Sequence, residues 1–316
     1  MSTSAQQLQT AVLIITYKRL DTTKKIFAEV KKAKPERLYI SSNCGKDAEE
    51  VKQVTTVRAY LESNIDWNCK VYSLFRTEHV SAKLSISGAI DWFFENEEMG
   101  IILEDDCLPN PSFFTFCEEL LEYYGSDERV GMISGDNFQS NQLRGDASYY
   151  FTRYAHIWGW ATWRRAWRTY DLSMKNWVEF EANNYLSDIV NSKGELRYWV
   201  KVFDLVANGK IDTWDYQWLL TLWSHNMLCI VPNVNLISNI GFGIDAVNTT
   251  EESIYSEMDT KTMMFPLVHP RIMRANKIAD IYTSKNWFPG PVSRKVAGKI
   301  AKTIKLVRSR MAAQKL

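Results

Sequence analysis

Cysteine is scarce and unorganised in this sequence. Cys44, Cys69, Cys107, Cys117 and Cys229 are odd in number, scattered, and form no CxxC pair, so neither a thiolate zinc site nor a disulfide framework is encoded. A reducing, cytoplasmic setting fits that pattern. The four histidines, His79, His156, His225 and His269, are dispersed as well, which gives no support to a histidine metal centre or a Ser-His-Asp arrangement. No GxxxxGK[ST] loop occurs, excluding a P-loop kinase or ATPase. No run of about 18 apolar residues is present, and the opening MSTSAQQLQT lacks the charged-then-apolar order of a signal peptide. We therefore expect a chain that neither spans a membrane nor is exported by that route. Charge of one sign is missing too: 38 Lys and Arg against 37 Asp and Glu leave a net charge of +1, so no nucleic-acid partner is expected. No internal repeat or low-complexity linker divides the chain.

What is present is enough apolar material for a large core, 46% of 316 residues, with 12 Trp, 15 Tyr and 14 Phe. Most of those aromatics are expected in the core. Ala11 to Thr16 reads as a fully buried strand, followed by Tyr17-Lys18-Arg19 and a helix capped by Asp21. Strands at 38–42 and 70–74 follow, with helices at 47–62 and 81–97 between and after them. Met99 to Leu103 closes the series as a fourth strand. Such alternation predicts a Rossmann-like α/β fold, a mixed and mostly parallel sheet with helices on both faces and right-handed crossovers. Further on, the pattern predicts helices at 111–124, 194–208 and 215–226, short strands at 130–134 and 227–231, and a mobile loop at 235–250 carrying Gly241-Phe242-Gly243.

Glu104-Asp105-Asp106 follows the fourth strand without a spacer. Buried strands of open α/β sheets point their carboxyl ends at the ligand crevice, and Arg19 is aimed at the same crevice. Three adjacent anions repel one another unless they are solvated or share a cation such as Mg²⁺ or Mn²⁺. An acidic turn capping the next helix is the plainer alternative. Asp215, at a predicted helix start between Trp214 and Tyr216, and Asp136, at another strand end, are the two candidates for a general base. Helix capping is the ordinary role for the first of them.

The last segment, Ser293 to Leu316, carries eight Lys and Arg and no acid, with Val296, Ile300, Ile304 and Val307 at helical spacing. It reads as a basic amphipathic helix over 291–316, either peripheral on an anionic membrane face or covering part of the core.

The triplet, followed by Pro109-Asn110-Pro111-Ser112-Phe113-Phe114, resembles the DXD-type motif of GT-A glycosyltransferases. The order of motifs is similar to the N-acetylglucosaminyltransferase family that initiates complex N-glycans. Ile15-Thr16-Tyr17-Lys18-Arg19, Ser42-Asn43-Cys44-Gly45, Trp158-Gly159-Trp160 and Trp214-Asp215 each have a counterpart there. Bacterial cell-surface polysaccharide transferases with WGWATW segments look similar too. The resemblance covers about residues 11–245. It implies a GT-A domain over 1–290, with a nucleotide-sugar half at 11–106 and an acceptor half at 107–290. It also implies Asp106 as ligand of Mn²⁺ or Mg²⁺, Glu104 and Asp105 beside ribose, sugar and metal waters, and Arg19 and Lys83 on the nucleotide or diphosphate. Asp215 becomes the base of an inverting transfer. Asn43 stands where the family has a uracil-reading aspartate, and Ser87 where it has a histidine; Asn43 can still pair with a pyrimidine edge. The implied partners are a UDP-sugar and a glycan or lipid-linked acceptor. A sugar-nucleotide nucleotidyltransferase and a non-catalytic carbohydrate-binding protein are the alternatives. The first of these would carry a Gly-rich loop after the first strand, and Thr16 to Leu20 has no glycine.

Overall fold

The computed structural model describes residues 7–241 and 257–288. The expected tail helix at 291–316 and most of the 235–250 loop lie outside the described residues. The first half of the chain runs β1 (Ala11–Thr16), α1 (Leu20–Ala33), β2 (Arg37–Ser42), α2 (Ala48–Ser63), β3 (Lys70–Phe75), α3 (Ala82–Asn96) and β4 (Met99–Glu104). All six residues of β1 are buried, as a central parallel strand covered on both faces requires. Alternation along it sorts its side chains: Val12 and Ile14 join the core on one face, Ala11, Leu13 and Ile15 the core on the other. The Asp47 side chain caps α2 by accepting from the Glu49 and Glu50 N–H groups.

The second half adds β5 (Cys107–Pro109), α4 (Ser112–Tyr123), β6 (Val130–Ser134), β7 (Tyr149–Thr152), β8 (Trp160–Trp163), α5 (Arg164–Trp167), α6 (Trp177–Ala182) and α7 (Leu186–Ile189). It continues through α8 (Lys193–Ala207), α9 (Asp215–Ser224), β9 (Leu228–Pro232), β10 (Ile237–Asn239) and α10 (Lys277–Trp287). Eight strands form one sheet in the order β3-β2-β1-β4-β8-β6-β9-β7, and β10 and β5 make a separate antiparallel pair. Strands β3, β2, β1 and β4 run parallel; β8 is antiparallel to both β4 and β6, β9 is parallel to β6, and β7 closes the edge antiparallel to β9. The fold is thus mixed α/β and Rossmann-like. Its strand order reverses beside β1, where the chain moves outward through β2 and β3 and then returns to β4 on the other side. Ligand crevices open at the carboxyl ends of such a switch point.

Three features differ from the sequence expectation. Helix α1 starts at Leu20 with Arg19 in the capping position and no side-chain cap, so Asp21 lies inside the first turn, where its charge still suits the helix dipole. The start of the expected mobile loop is β10, held antiparallel to β5. The aromatic stretch after Tyr149 yields β7 and β8, and Trp160, Trp163 and Trp167 are buried. Trp160 stacks on Trp214, with ring centroids 5.7 Å apart, and Trp218 packs beside both Trp160 and Trp167. A third apolar cluster, with Trp177, Trp199, Phe203 and Trp223, joins α6 to α9 and carries Asp215 at its edge.

Candidate functional site

Register alone brings Arg19 and the triplet together. Ile15 of β1 pairs with Glu104 of β4, so the chain leaving β1 runs beside the chain leaving β4. The Tyr17 N–H donates to Asp105 Oδ2 (3.0 Å), and Arg19 Nη2 donates to Asp105 Oδ1 and to Asp106 Oδ2 (2.9 Å). A second knot fixes this loop from the α2 side. Glu50 accepts from Lys18 Nζ (2.6 Å), the Tyr17 hydroxyl (2.5 Å) and the Lys46 N–H (2.9 Å). Those bonds, Lys18 and Tyr17 foremost, hold its carboxyl down at about 2.

One guanidinium does not neutralise three carboxylates. Burial and then the charges of Asp106 and Asp105 push Glu104 up to about 8, and burial raises Asp105 despite Arg19. Burial works against the Arg19 charge, but the two aspartates outweigh it and keep the guanidinium firmly protonated. Asp105 is buried, whereas Asp106 keeps 19% of its side chain open. The crevice therefore holds excess negative charge on hard oxygens, one set of them accessible.

Asp215 reaches the same place from the start of α9. It is one of the charges that raise Glu104. Its own carboxyl is raised by burial, while a hydrogen bond from the Thr213 hydroxyl pulls the other way. The loop before it is tied to the start of α3 through Ser81 Oγ and Asp212 Oδ1 (3.2 Å). Lys83 lies in the first turn of α3, half-buried and without an ion pair among the described residues. Asn43, just past the end of β2, is buried with its amide bonded at both ends: Nδ2 donates to Val80 O (2.8 Å), and Oδ1 accepts from the N–H groups of Cys44 (3.0 Å) and Val80 (3.2 Å). It pins the segment that leads to Lys83.

Asp136 is different. It is fully enclosed, neither oxygen has a hydrogen-bond partner, and burial raises its carboxyl far above the ordinary range. Of the two sequence-stated bases, only Asp215 retains open surface.

Gly241 was not legible as a site residue. The Ile240 N–H donates to the Asp106 carbonyl (2.8 Å), which lays the next residue across the acidic end. A Cβ on Gly241 would stand 2.3 Å from Asp106 Oδ2 and 2.7 Å from Arg19 Nη1. Its bare Cα is a condition of that approach. A glycine just beyond a strand was the one sequence signal for it.

Among solved structures the chain is similar to a mannosyltransferase from Pyrobaculum calidifontis in complex with GDP-Man and Mn²⁺, at 17% identity and a TM-score of 0.37 over 51% of this chain and 46% of that one. It is also similar to a UDP-glucose pyrophosphorylase complexed with UDP-glucose, at 9% identity and a TM-score of 0.35 over 71% and 90%. A third likeness is to the glycosyltransferase GlyE of Streptococcus pneumoniae, at 9% identity and a TM-score of 0.34 over 71% and 45%. The chain thus spans about half the length of the mannosyltransferase. All three likenesses are distant. No protein-family profile matches the sequence, and no curated protein does.

Proposed function

We propose that this chain is a glycosyltransferase that moves a sugar from a nucleotide-diphosphate donor, first a UDP-sugar, to a hydroxyl of a glycan or lipid-linked acceptor in cell-surface polysaccharide synthesis. The observation that carries this is the convergence of Arg19, Asp105 and Asp106, with Glu104, at the β1/β4 switch point; Asp215, more than a hundred residues away in sequence, lies near enough for its charge to bear on Glu104. Motif order favours the N-acetylglucosaminyltransferase type, so UDP-N-acetylglucosamine heads the donors to be tried. The basic segment 293–316 is proposed to draw the enzyme to an anionic membrane face. Among the described residues, no helix is long and apolar enough to cross one.

The donor set suits Mn²⁺ or Mg²⁺: hard oxygens, local charge in excess, and one partly open carboxylate, Asp106. Among the described residues no three metal-binding side chains converge into a cage; in the proposed site Asp106 is the protein ligand and donor oxygens would complete the sphere. When bound, such a cation stabilises charge on the leaving diphosphate. Arg19 and Lys83 supply fixed positive charge to the same oxygens. Glu104 and Asp105 order the ribose and sugar, and Asn43 shapes the base end of the crevice. Asp215 takes the acceptor hydroxyl proton; its raised carboxyl makes it a better base than an ordinary aspartate. Attack from the face opposite the diphosphate inverts the anomeric configuration.

Incubation with a panel of nucleotide sugars and divalent metal should release nucleoside diphosphate. Pyrophosphate chemistry instead would identify a nucleotidyltransferase, and no turnover with any donor and acceptor would leave a binding protein. We expect Asp106→Ala to abolish donor binding and Asp215→Asn to keep donor binding while lowering transfer at least about a hundredfold. Near-normal transfer by the second variant would move the base elsewhere.

A further inference from the structure

A second charged cavity lies at the other end of the sheet. Its volume is about 590 Å³, and Arg129, Arg153, Arg274, Lys277, Asn191 and Asp280 are among the residues that line it. Arg129 precedes β6, Arg153 follows β7, and β9 begins at the cavity wall with Leu228. β6 and β9 run parallel, and β7 ends opposite the start of β9, Thr152 pairing with Cys229. The cavity therefore lies at the amino ends of β6 and β9, whose carboxyl ends lie on the triplet's edge of the sheet, a strand length of roughly 16 Å away. The cavity is not part of the donor crevice.

We infer that this cavity binds a phosphate-bearing group. Two of its cations are held in place by the fold. Arg153 Nη1 donates to the carbonyls of Asp188 (3.0 Å) and Ile189 (2.6 Å), and the Arg129 guanidinium is forked onto Asp127 (2.9 and 2.7 Å). The other two, Arg274 and Lys277, are exposed and have no ion pair among the described residues. Lys277 also opens α10, whose N-cap Asn276 bonds the Ala279 N–H (3.0 Å), so the positive helix end faces the same space. On the floor, Asp280 spends Oδ1 on the Thr152 hydroxyl (2.6 Å) and the Arg153 N–H (3.4 Å). Burial raises its carboxyl to about 6, with the Thr152 hydrogen bond and Arg153 lowering it and Glu195 adding to the rise, so it stays mostly ionised at neutral pH and, with Asp188, offsets part of the charge of the four lining cations. The Arg274 guanidinium fork and the Lys277 ammonium suit tetrahedral phosphate oxygens, and the volume admits a diphosphate or a phosphate with its substituent. Ile272 and Ile278 stand 75% and 69% exposed on the same stretch of chain. The phosphate can therefore come from an anionic lipid headgroup or from a soluble phosphate ester, and this inference does not rest on the proposed transferase activity.

Isothermal titration of the full chain with inorganic pyrophosphate in metal-free buffer tests it, with Arg274→Gln/Lys277→Gln as the variant. Both positions are exposed, so an unchanged thermal midpoint is expected. Pyrophosphate affinity should fall at least tenfold in the variant and stay unchanged in Asp106→Ala, which separates the two sites. Equal affinity of wild type and double variant, or no binding by wild type, overturns the inference. A second arm uses co-sedimentation with phosphatidylcholine vesicles containing phosphatidylglycerol, the 293–316 segment being common to both chains. A tenfold loss of vesicle binding in the variant, alongside its loss of pyrophosphate, assigns the phosphate to lipid. Vesicle binding that survives while pyrophosphate binding is lost assigns it to a soluble ester.

Discussion

At the scale of single residues, the site depends on what Gly241 leaves out. Alanine there would push on Asp106 and Arg19 without disturbing a core cluster. We expect Gly241→Ala to raise the donor KM about tenfold or more while moving the thermal midpoint by no more than about 2 °C, measured by donor titration and calorimetry. Asp136 makes the opposite kind of prediction. Burial keeps its carboxyl protonated well above the usual range, whereas the unfolded chain releases that proton near the ordinary value. The native state therefore binds the extra proton, and stability falls as pH rises above the unfolded value. Asp136→Asn removes that dependence. Its advantage over wild type in denaturant unfolding should be near zero at about pH 4 and reach at least about 1 kcal/mol at pH 8. The triplet and Arg19 were legible in the sequence because a strand's carboxyl end has a known destination. Gly241, Tyr17 and Glu50 were not, because each has a partner 32 or more positions away, and no local pattern records such a pairing.

At the scale of elements, the first hundred residues were legible for a physical reason. Central strands buried on both faces need unbroken apolar runs, and amphipathic helices must separate them; both signals are local. β5, β7, β8 and β10 are only three or four residues long and gain their order from antiparallel partners far along the chain, so no period marks them, and the β7–β8 stretch showed only aromatic density. That density is the packing between β8 and α9. Trp218 of α9 is wholly buried against Trp160 and Trp167, with Nε1 directed at Met132 Sδ (3.4 Å). Trp218→Ala should cost about 3–5 kcal/mol of stability. It should also loosen the start of α9 and so lower transfer along with the melting point. Gly159, just before β8, has a φ of +63°, and a Cβ there would lie 2.5 Å from Ile237 Cδ1. Both observations call for glycine at this position.

At the scale of the whole molecule, two charged regions of opposite sign occupy the two ends of one sheet. On the function proposed above, the acidic crevice needs a cation to hold a diphosphate, whereas the proposed phosphate cavity does not. Metal chelation should therefore weaken binding at the first and leave the second untouched, a contrast that overall net charge could never reveal. Between the two halves of the sheet stands β8. Its four residues pair with β4 from Trp163 to Trp160 and with β6 through Ala161 and Trp160, and among the described strands no other bridges β4 to β6. Neither half can shed its neighbour without breaking that strand's ladder on one side. The molecule should consequently melt in one transition, with calorimetric and van't Hoff enthalpies in agreement. The amide protons of Ala161 and Thr162 should exchange with deuterated solvent only at the rate of global unfolding.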